Sequence, residues 1–105
     1  MLNNCVIVGR LASDIVMEDN KSTLLLSVPR SYRNEQGMYE TDIIKVDLSL
    51  PIAKNTAEYL KKGDLISVKG RIENHFKDNS NERELRLVAE RIVFLSTKKH
   101  EEMER

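Results

Sequence analysis

The segment that begins at Pro51 constrains the fold most, because it predicts a short helix followed at once by a strand. Pro51 suits the first helical position, since the N–H that proline lacks would be unpaired there anyway. From there to Leu60, apolar residues recur at spacings of three and four, which gives the helix one apolar face. Lys61 and Lys62 are expected in its last turn, where the helix dipole favours cations, and Gly63 is expected to end it.

The other periodic segments of the chain favour strands. The strand candidates are residues 4–11, 22–29, 41–50, 66–72 and 83–95. Most of them alternate between apolar and polar side chains, which is the period of a strand with one buried face. In the last candidate the alternation changes phase near Glu90 and Arg91, which predicts a β-bulge, although a helix is the competing interpretation there. Residues 31–40 resemble a hairpin tip, and Lys77–Glu82 predicts a polar loop.

Five strands with one helix between the third and the fourth describe a small closed barrel of the oligonucleotide/oligosaccharide-binding (OB) type. The predicted class is therefore all-β with one short helix. An SH3-like barrel is the second interpretation, because it lacks a helix at this position. We expect residues 1–97 to form one OB-fold domain and residues 98–105 to be a flexible C-terminal end. Phe94 is expected to pack in the core, and Tyr59 in the core or at the helix cap.

Charge and motifs restrict the possible functions. Seventeen basic and seventeen acidic residues cancel, so a nucleic-acid site requires local segregation of charge. His75 and His100 stand alone, no Gly-rich phosphate loop occurs, and Cys5 lies in an apolar segment. We therefore expect no enzyme, metal, cofactor or small-molecule substrate. Without an apolar run of about 18 residues or a signal-peptide pattern, the chain is expected to be cytoplasmic and not bound to a membrane.

Three segments resemble the single-stranded DNA-binding proteins of bacteria and phages: residues 1–14, 32–37 and 53–71. The resemblance implies an OB-fold homodimer or homotetramer that coats single-stranded DNA without marked sequence preference in replication, recombination or repair. Replication proteins are implied as possible partners. The chain departs from the family pattern in having no tryptophan, with Ile43 and Ser49 where the family carries large aromatic residues, and no acidic, aromatic-tipped tail. In these respects it also resembles the primosomal replication protein B subgroup.

Single-strand binding requires cations along the phosphate path and flat side chains on which bases stack. Basic and aromatic residues are interleaved around the central hairpin and along the last two strands. The resemblance places Tyr32 at a stacking position and Phe76 within one residue of another. The predicted nucleic-acid-binding residues are Arg10, Arg30, Tyr32, Arg33, Tyr39, Lys45, Lys62, Lys69, Arg71, Phe76, Lys77, Arg83 and Arg86. Lys45, Lys69 and Arg71 are expected to share one outer face of the barrel.

Two alternatives remain open. Basic residues that alternate with acidic ones are also typical of an ordinary solvated strand face. The second hypothesis is accordingly an OB-fold protein-interaction or primosomal accessory module with weak or no DNA binding. Residues 4–11 are apolar on both faces, which predicts an oligomer interface that includes Asn4, Val6 and Val8. The alternative is that the helix or the loops cover this strand.

Overall fold

The computed structural model describes residues 1–18 and 21–96 of the chain. The elements are β1 (Cys5–Leu11), β2 (Val16–Glu18), β3 (Lys21–Arg33), β4 (Tyr39–Leu48), α1 (Leu50–Ala57), β5 (Leu65–Phe76) and β6 (Arg83–Ser96). The prediction of a flexible end at residues 98–105 lies outside the described residues. Within them, no helix is long and apolar enough to cross a bilayer.

The strands form one sheet that closes on itself. Its order is β1-β5-β6-β4-β3-β2, and a further pairing of β1 with β3 at Arg10 and Leu11 completes the barrel. Strands β4 and β6 run parallel, with Val46 opposite Leu87, and the other pairs are antiparallel. The predicted five-stranded OB barrel is confirmed. Strand β2 is a short addition at the edge of β3, and its three exposed residues show no alternation that could have revealed it.

Alternate residues of the strands fill the interior, as their period predicts. The buried core consists of Leu11, Leu24, Leu26, Val46, Leu48, Ala53, Leu60, Ile66, Val68, Leu87 and Ala89. Helix α1 contributes Ala53, which is fully buried, and Leu60 follows the helix into the same cluster. The helix therefore covers part of the barrel interior and leaves the outer faces of β3 and β4 clear of it.

The helix ends earlier than the sequence predicts. It stops at Ala57, so Lys61 and Lys62 lie in the following turn and not in its last helical turn. A carboxylate oxygen of the buried Asp64 accepts a hydrogen bond from the Lys61 N–H at 2.8 Å. Gly63, with φ of 96°, donates its N–H to the Leu11 carbonyl at 2.7 Å. The first hydrogen bond holds the turn between α1 and β5, and the second holds this turn against β1. Another helical turn would use the same backbone groups and break both hydrogen bonds.

Strand β6 contains the predicted bulge and is not a helix. Lys69 is opposite Arg91 and Gly70 is opposite Ala89, so Glu90 is the extra residue. The bulge brings the backbone of β6 close to Gly70, and a Cβ built on that glycine would overlap the carbonyl oxygen of Val88. Glycine is therefore required where β5 crosses the bulge.

Tyr59 and Phe94 are exposed, so the prediction of core packing is wrong for Phe94, and Tyr59 does not pack in the core either. Because α1 ends at Ala57, Tyr59 follows the helix and does not belong to its apolar face. Phe94 lies close to the end of β6, and with Tyr59, Leu60 and Ile92 it lines a shallow apolar groove at the surface.

Candidate nucleic-acid interface

The outer surface of β3 and β4 carries a mixture of polar and aliphatic side chains. Leu24, Leu26 and Val46 point into the barrel, so the residues that alternate with them point outward. The outward cross-strand pairs are Thr23 with Asp47, Leu25 with Lys45, and Ser27 with Ile43. We call these six residues the β3–β4 face. In the β4–β6 pair Val46 is opposite Leu87, which places Arg86 of β6 beside Lys45 at its edge.

The hairpin between β3 and β4 presents two tyrosine rings to solvent. Its turn is held by the Asn34 side-chain oxygen, which accepts hydrogen bonds from the backbone N–H groups of Gln36 and Met38, both at 2.9 Å. Tyr32 and Tyr39 are 63% and 58% exposed. The guanidinium carbon of Arg33 lies 5.4 Å from the centre of the Tyr39 ring. The predicted hairpin is thus confirmed, and its tip combines exposed rings with a cation.

Arg30 is engaged inside this hairpin. Its Nε and Nη2 donate to the two carboxylate oxygens of Asp42 at 3.1 and 2.9 Å, and its Nη1 donates to Glu40 at 2.5 Å. The hydrogen bonds with Asp42 raise the pKa of Arg30 and hold the pKa of Asp42 below its usual value. All three guanidinium nitrogens have partners, so the structure places Arg30 in a brace between β3 and β4, and not among the free cations.

Two other predicted cations are also paired with carboxylates. Arg71 binds Glu73, with Nη2 and a carboxylate oxygen 2.6 Å apart, and the same carboxylate contacts His75 at 2.8 Å. Hydrogen bonds from His75 and Arg71 lower the pKa of Glu73. Arg86 donates from Nε and Nη2 to one oxygen of Glu84 at 3.0 and 2.9 Å, which lowers the pKa of Glu84. Their carboxylate partners offset much of the positive charge of both guanidinium groups.

The end of the β5–β6 hairpin carries a second cation and ring. Phe76 and Arg83 are cross-strand neighbours, and the guanidinium carbon lies 4.1 Å from the ring centre, within the range of a cation–π contact. Arg83 also donates to the side-chain oxygen of Asn74 at 2.9 Å. The Lys77 Nζ lies 3.6 Å from a carboxylate oxygen of Glu82 across the loop. The structure therefore brings Phe76, Lys77 and Arg83 together at this tip.

Lys69 does not share a surface with Lys45, so this prediction is wrong. Strand β6 separates β4 from β5, and Lys69 lies opposite Val6 on one side and Arg91 on the other. The alternation of a strand shows that a residue points outward, but not toward which side of a closed barrel. Lys69 therefore belongs to the outer surface of β1, β5 and β6.

Arg10 and Lys62 lie at the turn that follows α1. Arg10 donates from Nη1 to the Gly63 carbonyl at 2.9 Å, and the Lys62 backbone N–H donates to Asp14 at 3.1 Å. These contacts join β1, the loop after it and the turn before β5. The structure places Lys62 in this junction and does not bring it to the β3–β4 face, whereas Arg10 is the cross-strand neighbour of Ser27 and borders that face.

A cavity of about 220 Å³ opens at one end of the β3–β4 face. Side chains of three strands line it, among them Lys21, Thr23, Lys45 and Arg86. Lys21 and Thr23 were not predicted as site residues, although both belong to the outward alternation of β3 that includes Leu25, the residue opposite Lys45. Among the described residues, no group of His, Cys, Asp or Glu side chains is arranged to hold a metal ion.

Strand β1 has one open edge. It pairs with β5 from Cys5 to Arg10, but with β3 only at Arg10 and Leu11. Its outward side chains Val6 and Val8 are 62% and 49% exposed. An open edge with exposed valines is the geometry in which a strand accepts another chain.

Comparisons with known proteins agree with this geometry. The model of the "Single-strand binding protein family" matches residues 2–95. The "Single-stranded DNA-binding protein 2" of Staphylococcus aureus (strain COL) is 37% identical, and the match covers 93% of this chain and 76% of that protein. The protein of the same name from Listeria innocua is 34% identical, and the match covers 97% of this chain and 69% of that protein.

Solved structures show the same fold. A deletion mutant of the single-stranded DNA-binding protein from Thermus aquaticus superposes with a TM-score of 0.74 at 26% identity, over 92% of this chain. The chain spans about half of that protein, since 52% of it is covered. A Plasmodium falciparum SSB, solved in complex with single-stranded DNA, superposes with a TM-score of 0.72 at 18% identity, over 91% of this chain and 97% of that one.

Proposed function

Because this chain belongs to the single-strand binding protein family, we propose that it binds single-stranded DNA along the β3–β4 face and the two hairpin tips beside it. The observation that carries this proposal is the pair of exposed rings, Tyr32 and Tyr39, at the tip of the hairpin whose strands also display Lys45, with Arg33 beside the Tyr39 ring. The proposed activity is binding without catalysis, in replication, recombination or repair.

The side chains on this surface suit a strand of any sequence. Tyrosine rings can stack on every base, since each base has a π face, and lysine attracts phosphates as a point charge. Lys45 has no ion-pair partner among the residues that the structure describes, so its ammonium group is available to a phosphate. Arg83 and Lys77 extend the cationic path to the β5–β6 tip, where Phe76 supplies a further ring. None of these contacts distinguishes one base from another.

We expect binding to weaken steadily as salt is added. Each phosphate that a lysine or arginine neutralises releases counterions. A plot of the logarithm of the association constant against the logarithm of the salt concentration should therefore fall with a slope of about 0.7 per phosphate contact. Titration of a fluorescent dT oligomer at several salt concentrations measures this slope. Mixed-sequence oligomers of the same length should bind with similar affinity. A protein that binds no oligonucleotide even at low salt would contradict the proposal.

The carboxylates favour a second candidate function. Arg30, Arg71 and Arg86 are all paired with Asp or Glu, which reduces the cationic field of a molecule that is neutral overall. An OB-fold protein-interaction or primosomal accessory module would not need a cationic field. Recovery of a replication protein in a pull-down after nuclease treatment, together with no binding to dT oligomers, would select this function over the first.

We further propose that the chain self-associates through β1 as a dimer or a larger homo-oligomer. Val6 and Val8 would lose exposed apolar surface, and the open edge from Cys5 to Gly9 would gain a partner. Asn4, which is exposed at the start of the strand, would lie at the rim of such a contact. Two copies of one edge strand form a symmetric two-fold contact without any additional surface.

Replacing Val8 with lysine is expected to weaken this association. Each copy would place a charge in the contact, which raises the dissociation constant at least about tenfold. Light scattering at several protein concentrations measures the change. Val16→Lys is the matched control, because Val16 lies on β2 and is exposed to a similar extent. An oligomer mass that is the same in both variants and the unmodified protein would contradict an interface at β1.

A further inference from the structure

We propose that the cavity between β3, β4 and β6 is a phosphate-binding site that holds one phosphodiester of the bound strand. We call it the anchor cavity and define it by Lys21, Thr23, Lys45, Asp47 and Arg86. The inference rests on the proposed function, which concerns the surface as a whole, and adds to it a defined position for one phosphate.

Three cations reach this cavity from three different strands. Lys21 is the first residue of β3, Lys45 lies within β4, and Arg86 lies within β6. Lys45 and Arg86 are neighbours because the residues that follow them, Val46 and Leu87, are paired in the parallel register. Lys21 precedes the buried Ser22, which lies opposite Leu48 at the end of β4. Convergence of this kind is produced by the barrel and requires no motif along the chain.

Two of the three cations of the cavity remain unpaired in the part of the chain that the structure describes and are available to a ligand. Within the described parts of the chain, neither Lys21 nor Lys45 forms an ion pair. Arg86 uses Nε and Nη2 for Glu84, and its Nη1 has no hydrogen-bond partner among the same residues. Asp47 is the one carboxylate in the lining, so cations outnumber carboxylates three to one. Glu84, which pairs with Arg86, adds one carboxylate beside the lining, and the cavity remains positive although the whole chain is neutral.

The size and the lining select phosphate over a base. A volume of about 220 Å³ corresponds to roughly seven water molecules at about 30 Å³ each, which is room for a phosphate group and the sugar atoms next to it. The lining contains no aromatic side chain on which a base could stack. The hydroxyl group of Thr23 adds a neutral donor beside the cations. The cavity lies at one end of the β3–β4 face, so a DNA strand that crosses this face can continue into the cavity.

Glu84 acts against this site from its edge. It accepts two hydrogen bonds from Arg86 through one oxygen, and with Lys45, Asp47 and Arg86 it lines a smaller recess beside the cavity. Its negative charge offsets one of the three cations. Removing that charge strengthens phosphate binding, whereas removing Lys21 weakens it, so the two substitutions have opposite effects.

Two probes separate phosphate binding from base stacking: a dT oligomer and an abasic oligomer with the same number of phosphates. Lys21→Gln is expected to lower affinity severalfold for both probes and to reduce the salt slope by about 0.7. Glu84→Gln is expected to raise affinity for both. Lys54→Gln is the matched control, since Lys54 is an exposed lysine on α1, and it should leave both affinities unchanged.

The outcomes distinguish this inference from the proposed function. Unmodified protein that binds neither probe at low salt overturns the proposed function. Unmodified protein that binds dT, with Lys21→Gln and Glu84→Gln variants of the same affinity and slope, overturns the anchor cavity alone. Inorganic phosphate that binds the unmodified protein but not the Lys21→Gln variant, and leaves the oligomer bound at constant ionic strength, also overturns it, because the cavity would then hold a free phosphate and not a phosphodiester.

Discussion

Replacing Gly70 with alanine is expected to lower the free energy of unfolding by about 3 kcal/mol. The added Cβ would overlap the carbonyl oxygen of Val88 and approach Leu87 Cδ1 to 3.3 Å. Relief requires the backbones of β5 and β6 to separate at the bulge, where they are paired on both sides. Urea unfolding followed by circular dichroism measures the loss. It is a large part of the roughly 5–15 kcal/mol that stabilises a typical domain.

Gly37→Ala is the control for this prediction. Gly37 has φ of 79° in the β3–β4 turn, and a Cβ there meets no atom within 4 Å. Alanine at this position is strained by its left-handed conformation alone, which costs about 1–2 kcal/mol. A Gly70→Ala variant that is no less stable than Gly37→Ala would show that β5 and β6 do not approach so closely at Glu90.

The second large effect is expected for DNA affinity when Tyr32 and Tyr39 are both replaced by alanine. Each base–ring stack contributes about 1–3 kcal/mol, so each lost ring weakens binding by about five- to 150-fold. Both rings are exposed at the hairpin tip, and the turn below them is held by Asn34. Titration with a dT oligomer measures the change, and thermal unfolding shows whether the hairpin remains folded.

Tyr59→Ala provides the matched control, because Tyr59 is also an exposed tyrosine but follows α1, away from the β3–β4 face. We expect it to leave affinity unchanged. Replacing Tyr32 and Tyr39 with phenylalanine should retain most of the affinity, since the ring and not the hydroxyl group stacks. Equal affinity for the double alanine variant and the unmodified protein would assign both rings to hairpin structure.

The fold could be predicted because most of the strands show in their own residues which side chains are buried. The alternation of Ile66 and Val68, and the change of phase near Glu90, are local signals, and the structure confirms both. The end of α1 was not predictable in the same way. It depends on the hydrogen bond that Asp64 accepts from the Lys61 N–H. It also depends on the hydrogen bond between Gly63 and Leu11, which are far apart in sequence.

The candidate site was predicted less well because its chemistry depends on pairing between distant residues. Arg30 has the same sequence signal as Arg33, yet Asp42 and Glu40 enclose it after the hairpin forms. Lys69 has the same outward alternation as Lys45, yet an intervening strand separates them. Lys21 is far from Arg86 in the chain, and only the closed barrel brings both to one cavity.

The closure of the barrel depends on a short seam. Strands β1 and β3 meet only at the pairs Arg10–Ser27 and Leu11–Leu26, whereas β1 and β5 are paired over six residues. Local opening of a few backbone hydrogen bonds would therefore release this side of the cylinder without unfolding the rest. In an isolated chain, those amide protons of residues 5–9 that point to the open edge would exchange readily, and a second copy on the same edge would protect them. Self-association through β1 would therefore also stabilise the closed barrel.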